Sequence, residues 1–140
     1  MSLSVIRPYF RVRMNSLGYR EWKEPFTDGD NLPENILDGS YVVSPISVSG
    51  EQLDQKLQNL EAEITVTLFL KGFRDPSAAV DSGTAKGEGI IQEVMDPANR
   101  LGADLKNVIF SSMEVLPMAD SNDNSIRVVL IFNNITQVCL

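Results

Sequence analysis

Between Glu63 and Phe73 the chain alternates. Ile64, Val66, Leu68 and Leu70 fall on one side of an extended segment, and Thr65, Thr67 and Lys71 fall on the other. Successive side chains of a strand point to opposite faces, so this period of two predicts a half-buried strand. Phe69 and Phe73 interrupt the polar side and predict that this face is partly covered too. The remaining chain reads as material packed on this strand or paired with it.

From Ser4 to Leu17 the spacing changes. Ile6, Tyr9, Phe10, Met14 and Leu17 recur at helical intervals, with Ser2 or Ser4 as a start, Pro8 in the first turn and Gly18 as the stop. Arg13 falls within the apolar stripe, which leaves two readings. Its stem lies on the core while its head reaches water near the helix C-terminus, or it meets a carboxylate on another subunit. Residues 19–40 are dense in turn chemistry (Pro25, Asp28-Gly29-Asp30, Pro33, Asp38-Gly39) and read as irregular chain. Trp22 and Phe26 are expected to pin that segment to the body; exposed, they would mark a binding surface. Tyr41 to Val48 predicts a strand that Pro45 restricts to an edge or a bulge. For Ser49 to Ala62 a mobile hairpin loop is favoured over a short helix on Leu53, Leu57 and Leu60.

Asp75-Pro76 opens a helix that runs to Met95, with an acid at the N-cap and proline in the first position. Val80, Gly83, Thr84, Gly87, Ile90, Ile91, Val94 and Met95 are assigned to its buried face. Two glycines there cost about 1 kcal/mol each against alanine, which makes sense where the helix backbone approaches the sheet closely. Asp96-Pro97 is read as its end. Asn107 to Leu116 and Ser125 to Asn133 predict two strands joined by a polar turn, with Ile126, Val128, Leu130 and Phe132 on one face. The order α-β-β-α-β-β predicts an α+β fold, a mainly antiparallel sheet with two helices packed on one face, in a single domain spanning 1–140.

Composition narrows the chemistry. The chain has no histidine, which removes the commonest general base and metal ligand, and one cysteine, Cys139, too few for a disulfide or a thiolate zinc site. Arg7, Arg11 and Arg13 break the apolar N-terminal stretch and spoil a signal-peptide reading, so a cytoplasmic site of synthesis and use is expected. The net charge is −7; residues 1–20 carry +4 with no acid, so the remainder carries −11. An acidic body repels phosphate, while one basic element on an acidic body suits docking between copies; charges scattered for solubility account for the same balance.

The glycine-dense Gly83 to Gly89 lacks the order of a phosphate loop and lies inside a helix, so packing is the better account. Asp28 and Asp30, and Asp120 and Asp123, stand in turn-forming sequence without a twelve-residue calcium-loop order. A histidine-free metal enzyme built on Asp120 and Asp123 is the weakest reading. Glu51, Asp54, Glu61 and Glu63 form a solvated acidic stretch. No nucleophile–base pair stands out; the expectation is a protein that is not an enzyme and has no cofactor or bound metal.

The helix, strand and polar hairpin leading into Ile64-Thr-Val-Thr-Leu-Phe-Leu-Lys-Gly-Phe73, the helix running into Asp96-Pro-Ala-Asn-Arg100, and the closing Arg127-Val-Val-Leu-Ile-Phe132 carry a resemblance. Over nearly its whole length the chain resembles the tail terminator, or tail completion, proteins of long-tailed bacteriophages, in element order and texture. The resemblance implies a structural virion protein, a hexameric ring that caps the tail tube. It would end tube polymerisation and offer a joining surface to the head connector, with no catalytic site. Its partners would be copies of itself, the tail-tube protein and the head-connector protein; DNA passes through without specific binding, and no membrane is involved. Assembly would take place in the host cytoplasm and the product would sit in the virion neck. Arg7, Arg11, Arg13, Tyr41 and Val43 are then the candidate subunit interface, and Glu51, Asp54, Glu61 and Glu63 the acidic loop facing the lumen. The rival reading is a small-molecule or peptide-binding α+β module using Trp22 and Phe26.

Overall fold

The computed structural model describes residues 3–22, 38–52, 57–102, 108–117 and 124–139. A 3-10 turn at Leu3–Val5 leads into α1 (Ile6–Ser16), followed by β1 (Arg20–Glu21), β2 (Ser40–Val43), β3 (Ser47–Gln52) and β4 (Leu57–Leu70). Then come α2 (Pro76–Met95), α3 (Pro97–Gly102), β5 (Val108–Pro117) and β6 (Ile126–Cys139). The fold is α+β. The strands form one sheet in the order β1-β2-β4-β6-β5, with β3 paired to the other end of β4, and every pairing except the short β1–β2 contact is antiparallel.

The alternating stretch is the middle of the sheet, as its two-sided character implies. It begins earlier than the alternation does: β4 pairs with β6 from Leu57↔Cys139 to Leu70↔Ile126. The segment expected to be a mobile loop is therefore largely strand, since Ser47 to Gln52 pair with Glu63 to Gln58. Backbone bonds to neighbours on both sides override the weak helical spacing of Leu57 and Leu60. Leu53 lies outside the described residues. The strand expected at Tyr41 to Val48 is two strands. Ser44 N–H donates to Thr65 O and Ser44 Oγ accepts from Thr65 N–H, both at 2.9 Å; Pro45, with no N–H to give, then ends the ladder.

Cross-strand partners share a face, so the register assigns each side chain to one side of the sheet. Ile64, Val66, Leu68 and Leu70 on β4 and Ile126, Val128, Leu130 and Phe132 on β6 are buried under the helices. Phe10 of α1 packs on Phe132 at 5.1 Å between ring centroids, and Phe110 of β5 flanks it at 5.7 Å. Asp75 caps α2 by accepting from Ala78 N–H at 2.7 Å, and Ala79, Gly83, Gly87, Ile90 and Val94 turn inward. Val80, assigned to the buried face, is 42% exposed: it lies one position round the helix from Ala79, the residue that meets the sheet.

Two further corrections concern helix ends. Val5, not a serine, holds the N-cap position of α1 and makes no side-chain bond there, while Gly18 does end the turn with φ at +91°. Asp96-Pro97 closes α2 and also opens α3, because Asp96 Oδ1 accepts from Ala98 N–H at 2.9 Å. The Asp-Pro pair thus repeats the signal that starts α2.

Candidate functional site

The three arginines of α1 are engaged within the chain. Arg7 Nη2 donates to Val43 O at 2.9 Å, Arg11 Nε lies 3.6 Å from Glu21 Oε1, and Arg13 Nη1 donates to Glu93 Oε1 at 3.2 Å. Arg13 also lies 5.8 Å from the Tyr9 ring centroid, and Ser16 Oγ donates to the same Glu93 oxygen. Its charge meets an acid as one sequence reading required, but that acid belongs to its own α2. Tyr41 and Val43 are core residues, with Tyr41 fully buried and its hydroxyl 2.7 Å from Asn15 Oδ1. Alternation on β2 turns both under α1, so their side chains offer nothing to a neighbour. Trp22 is partly buried, and its backbone N–H bonds Tyr41 O at 2.8 Å. Phe26 lies outside the described residues.

The acidic stretch is not a loop where it can be seen. Glu61 and Glu63 are exposed, two apart on β4, and so lie on one face of the sheet; the backbone of Glu51 belongs to β3. Asp54, Asp28, Asp30, Asp120, Asp123 and the Cys139 side chain are outside the described residues. Among the described residues no three of Cys, Asp or Glu converge as a metal ion requires, and no helix is long and apolar enough to cross a membrane.

Burial pushes the Tyr9 phenol up to about 12 against the pull of Arg13 and Arg100. The Tyr41 phenol is likewise raised to about 12, by burial first and then Glu21. Both remain protonated donors, Tyr9 to Val94 O and Tyr41 to Asn15. They hold α1 in place and are poorly suited to take a proton.

Two surface features remain. One is an open groove of about 500 Å³ between α1 and α3, lined by Val5, Pro8, Tyr9, Val12, Arg13, Ala98 and Asn99. Val5, Pro8 and Val12 lie at i, i+3 and i+7 on the outer side of α1, and Val12 is 51% exposed. The other is the sheet face turned away from the helices. Val129, Ile131 and Ile135 of β6 lie there partly exposed, beside Thr65 and Thr67 of β4 and Ser112, Glu114 and Ile109 of β5, with Ile109 49% exposed. Among the described residues no helix or strand packs over this part of the face. Phe69, on the same face at its far end, is buried, as its place in the sequence predicts.

Neither feature is read from the sequence, though one of them leaves a signal there. The groove depends on α3, whose start signal reads as a stop. The open face is legible in Arg127 to Phe132, where Val129 and Ile131 put apolar residues on both sides of one strand.

No family model matches the chain, and no curated protein matches it. Among solved structures it is similar to the core region of PilO from the type IV pilus system of Pseudomonas aeruginosa. That match has 14% identity and a TM-score of 0.34 over 69% of this chain and 76% of the other. At that distance it carries no inference about what this chain does.

Proposed function

We propose that this chain is a non-enzymatic structural subunit that assembles with copies of itself. The form we propose is a hexameric ring capping the tail tube of a long-tailed bacteriophage, ending tube polymerisation and presenting a surface to the head connector. Self-association is carried by one observation: β6 bears partly exposed Val129 and Ile131, and β5 the 49% exposed Ile109, on the face that the described helices leave open. Contiguous apolar surface on a folded domain favours a partner that removes it from water. The phage reading is supported by the residues and element order that resemble tail terminators. In it the exposed Glu61 and Glu63 of β4 border the passage for DNA and deny it phosphate contacts. The ring would form in the host cytoplasm and end in the virion neck.

Negative-stain microscopy of the purified chain, alone and with tail-tube subunits, tests this reading. Rings that cap tubes are the expected result. A monomer by light scattering at high concentration overturns it. The second reading, a small-molecule or peptide-binding module, draws on the groove between α1 and α3; strong thermal stabilisation by one compound from a ligand screen would favour it.

A further inference from the structure

We infer that Arg7 is an autoinhibitory contact, closing the β2 edge of the sheet to a strand from a second copy of this chain. This closure does not depend on the ring reading. On its inner side β2 bonds β4, with Ser44 N–H donating to Thr65 O at 2.9 Å, and the alternation of the ladder turns the carbonyls of Gly39, Tyr41 and Val43 to the outer side. All three are taken. Gly39 O accepts from Arg20 N–H at 3.0 Å and Tyr41 O from Trp22 N–H at 2.8 Å. β1 ends at Glu21, and one step further on Val43 O accepts from Arg7 Nη2 at 2.9 Å. The guanidinium therefore stands where the next residue of a neighbouring strand would place its N–H. Pro45 follows, with no N–H of its own to offer.

Helix α1 holds the side chain there. Ile6 and Phe10 are fully buried, and the Tyr41 hydroxyl lies 2.7 Å from Asn15 Oδ1 and 3.3 Å from Arg11 O, so the helix runs along β2. Arg7 Nε is itself buried, which sets the guanidinium against the edge rather than out in water. Open carbonyls on an edge strand are a template for another strand, and charge and proline are the usual guards. Here the backbone of β1 guards one end of β2 and Pro45 guards the other. Between them the closure rests on one side chain.

The test compares Arg7→Met, which keeps an unbranched stem and loses the donors, with Arg7→Lys, which keeps a donor. Chemical denaturation establishes whether each variant is folded, and sedimentation velocity with thioflavin T fluorescence follows association against concentration. Arg7→Met is expected to keep a cooperative unfolding transition and to associate into thioflavin-positive species at concentrations where the parent and Arg7→Lys do not. If Arg7 only stabilises the docking of α1, the variant shows a lower unfolding midpoint without added association, and that result overturns the inference. So does equal association of both variants, or association that appears only where the cooperative transition is lost. Each variant is read against the parent, so a parent that forms rings and one that stays monomeric serve equally as the baseline.

Discussion

Gly83 on α2 lies so close to Ile126 on β6 that a methyl group added to it would come within 2.6 Å of Ile126 Cδ1 and 3.0 Å of Val115 Cγ1. Gly87, one turn on, faces the Met113 thioether in the same way. The two glycines predict different outcomes on substitution. Alanine gains about 1 kcal/mol of helix propensity at either site, against about 1–3 kcal/mol for overpacking a core. At Gly83 the neighbours are branched side chains, with Ile126 and Val128 both buried, and overpacking wins. At Gly87 the nearest neighbour is the flexible, partly exposed Met113, which can swing aside. Gly83→Ala is therefore expected to destabilise by up to about 2 kcal/mol and Gly87→Ala to be near neutral, measured by chemical denaturation.

The β5 bulge gives a second contrast. Phe110 pairs with Phe132 and Ser112 with Ile131, so Ser111 is an extra residue. It keeps Val108 and Phe110 on the same face as Met113 and Val115. Deleting Ser111 restores plain alternation without changing which residues face the helices, and is expected to give a folded protein. Deleting Glu114 instead turns Val115 to the open face, and is expected to unfold it. Circular dichroism melts of the two deletions decide the point.

Stability should fall at high pH. Tyr9 and Tyr41 are raised from 10.0 to about 12 in the fold. The unfolded chain therefore loses these protons first as pH rises. The stabilisation is complete below about pH 10 and is lost as pH climbs through the folded value, of order 2 kcal/mol per phenol. Tyr9→Phe should flatten part of this alkaline limb in denaturation curves measured between about pH 9 and 12. An unchanged limb in both Tyr9→Phe and Tyr41→Phe would contradict the assignment.

Arg13 and Glu93 tie α1 to α2 across 80 residues of sequence. Both side chains are partly exposed, so the coupling in a double-mutant cycle with alanine is expected at about 0.5–1 kcal/mol. It should shrink as salt is raised. A coupling near zero at low salt would mean that Ser16 and the packing of the Arg13 stem do the joining.

Loss of the α2 cap is the simplest local test. Asp75→Ala leaves Ala78 N–H without its acceptor and is expected to cost about 1 kcal/mol, seen as a lower unfolding midpoint.

Local patterns already determine much of this fold. The alternation of Ile64 to Leu70 identifies the middle strand, Asp75-Pro76 places the start of α2, and Gly83 with Gly87 announces the close approach of helix to sheet. These signals are local because alternation, capping and glycine's small size act within a few residues. Tertiary structure alone decided the rest. It converted residues 49–52 and 57–62 into paired strands and buried Tyr41 and Val43. It also set Arg13 against the chain's own Glu93, left Val129 and Ile131 on the sheet face turned away from the helices, and completed a groove between α1 and α3. Each of these depends on which distant segment lies alongside, and pairing between segments far apart in sequence is set by the packing of the whole chain.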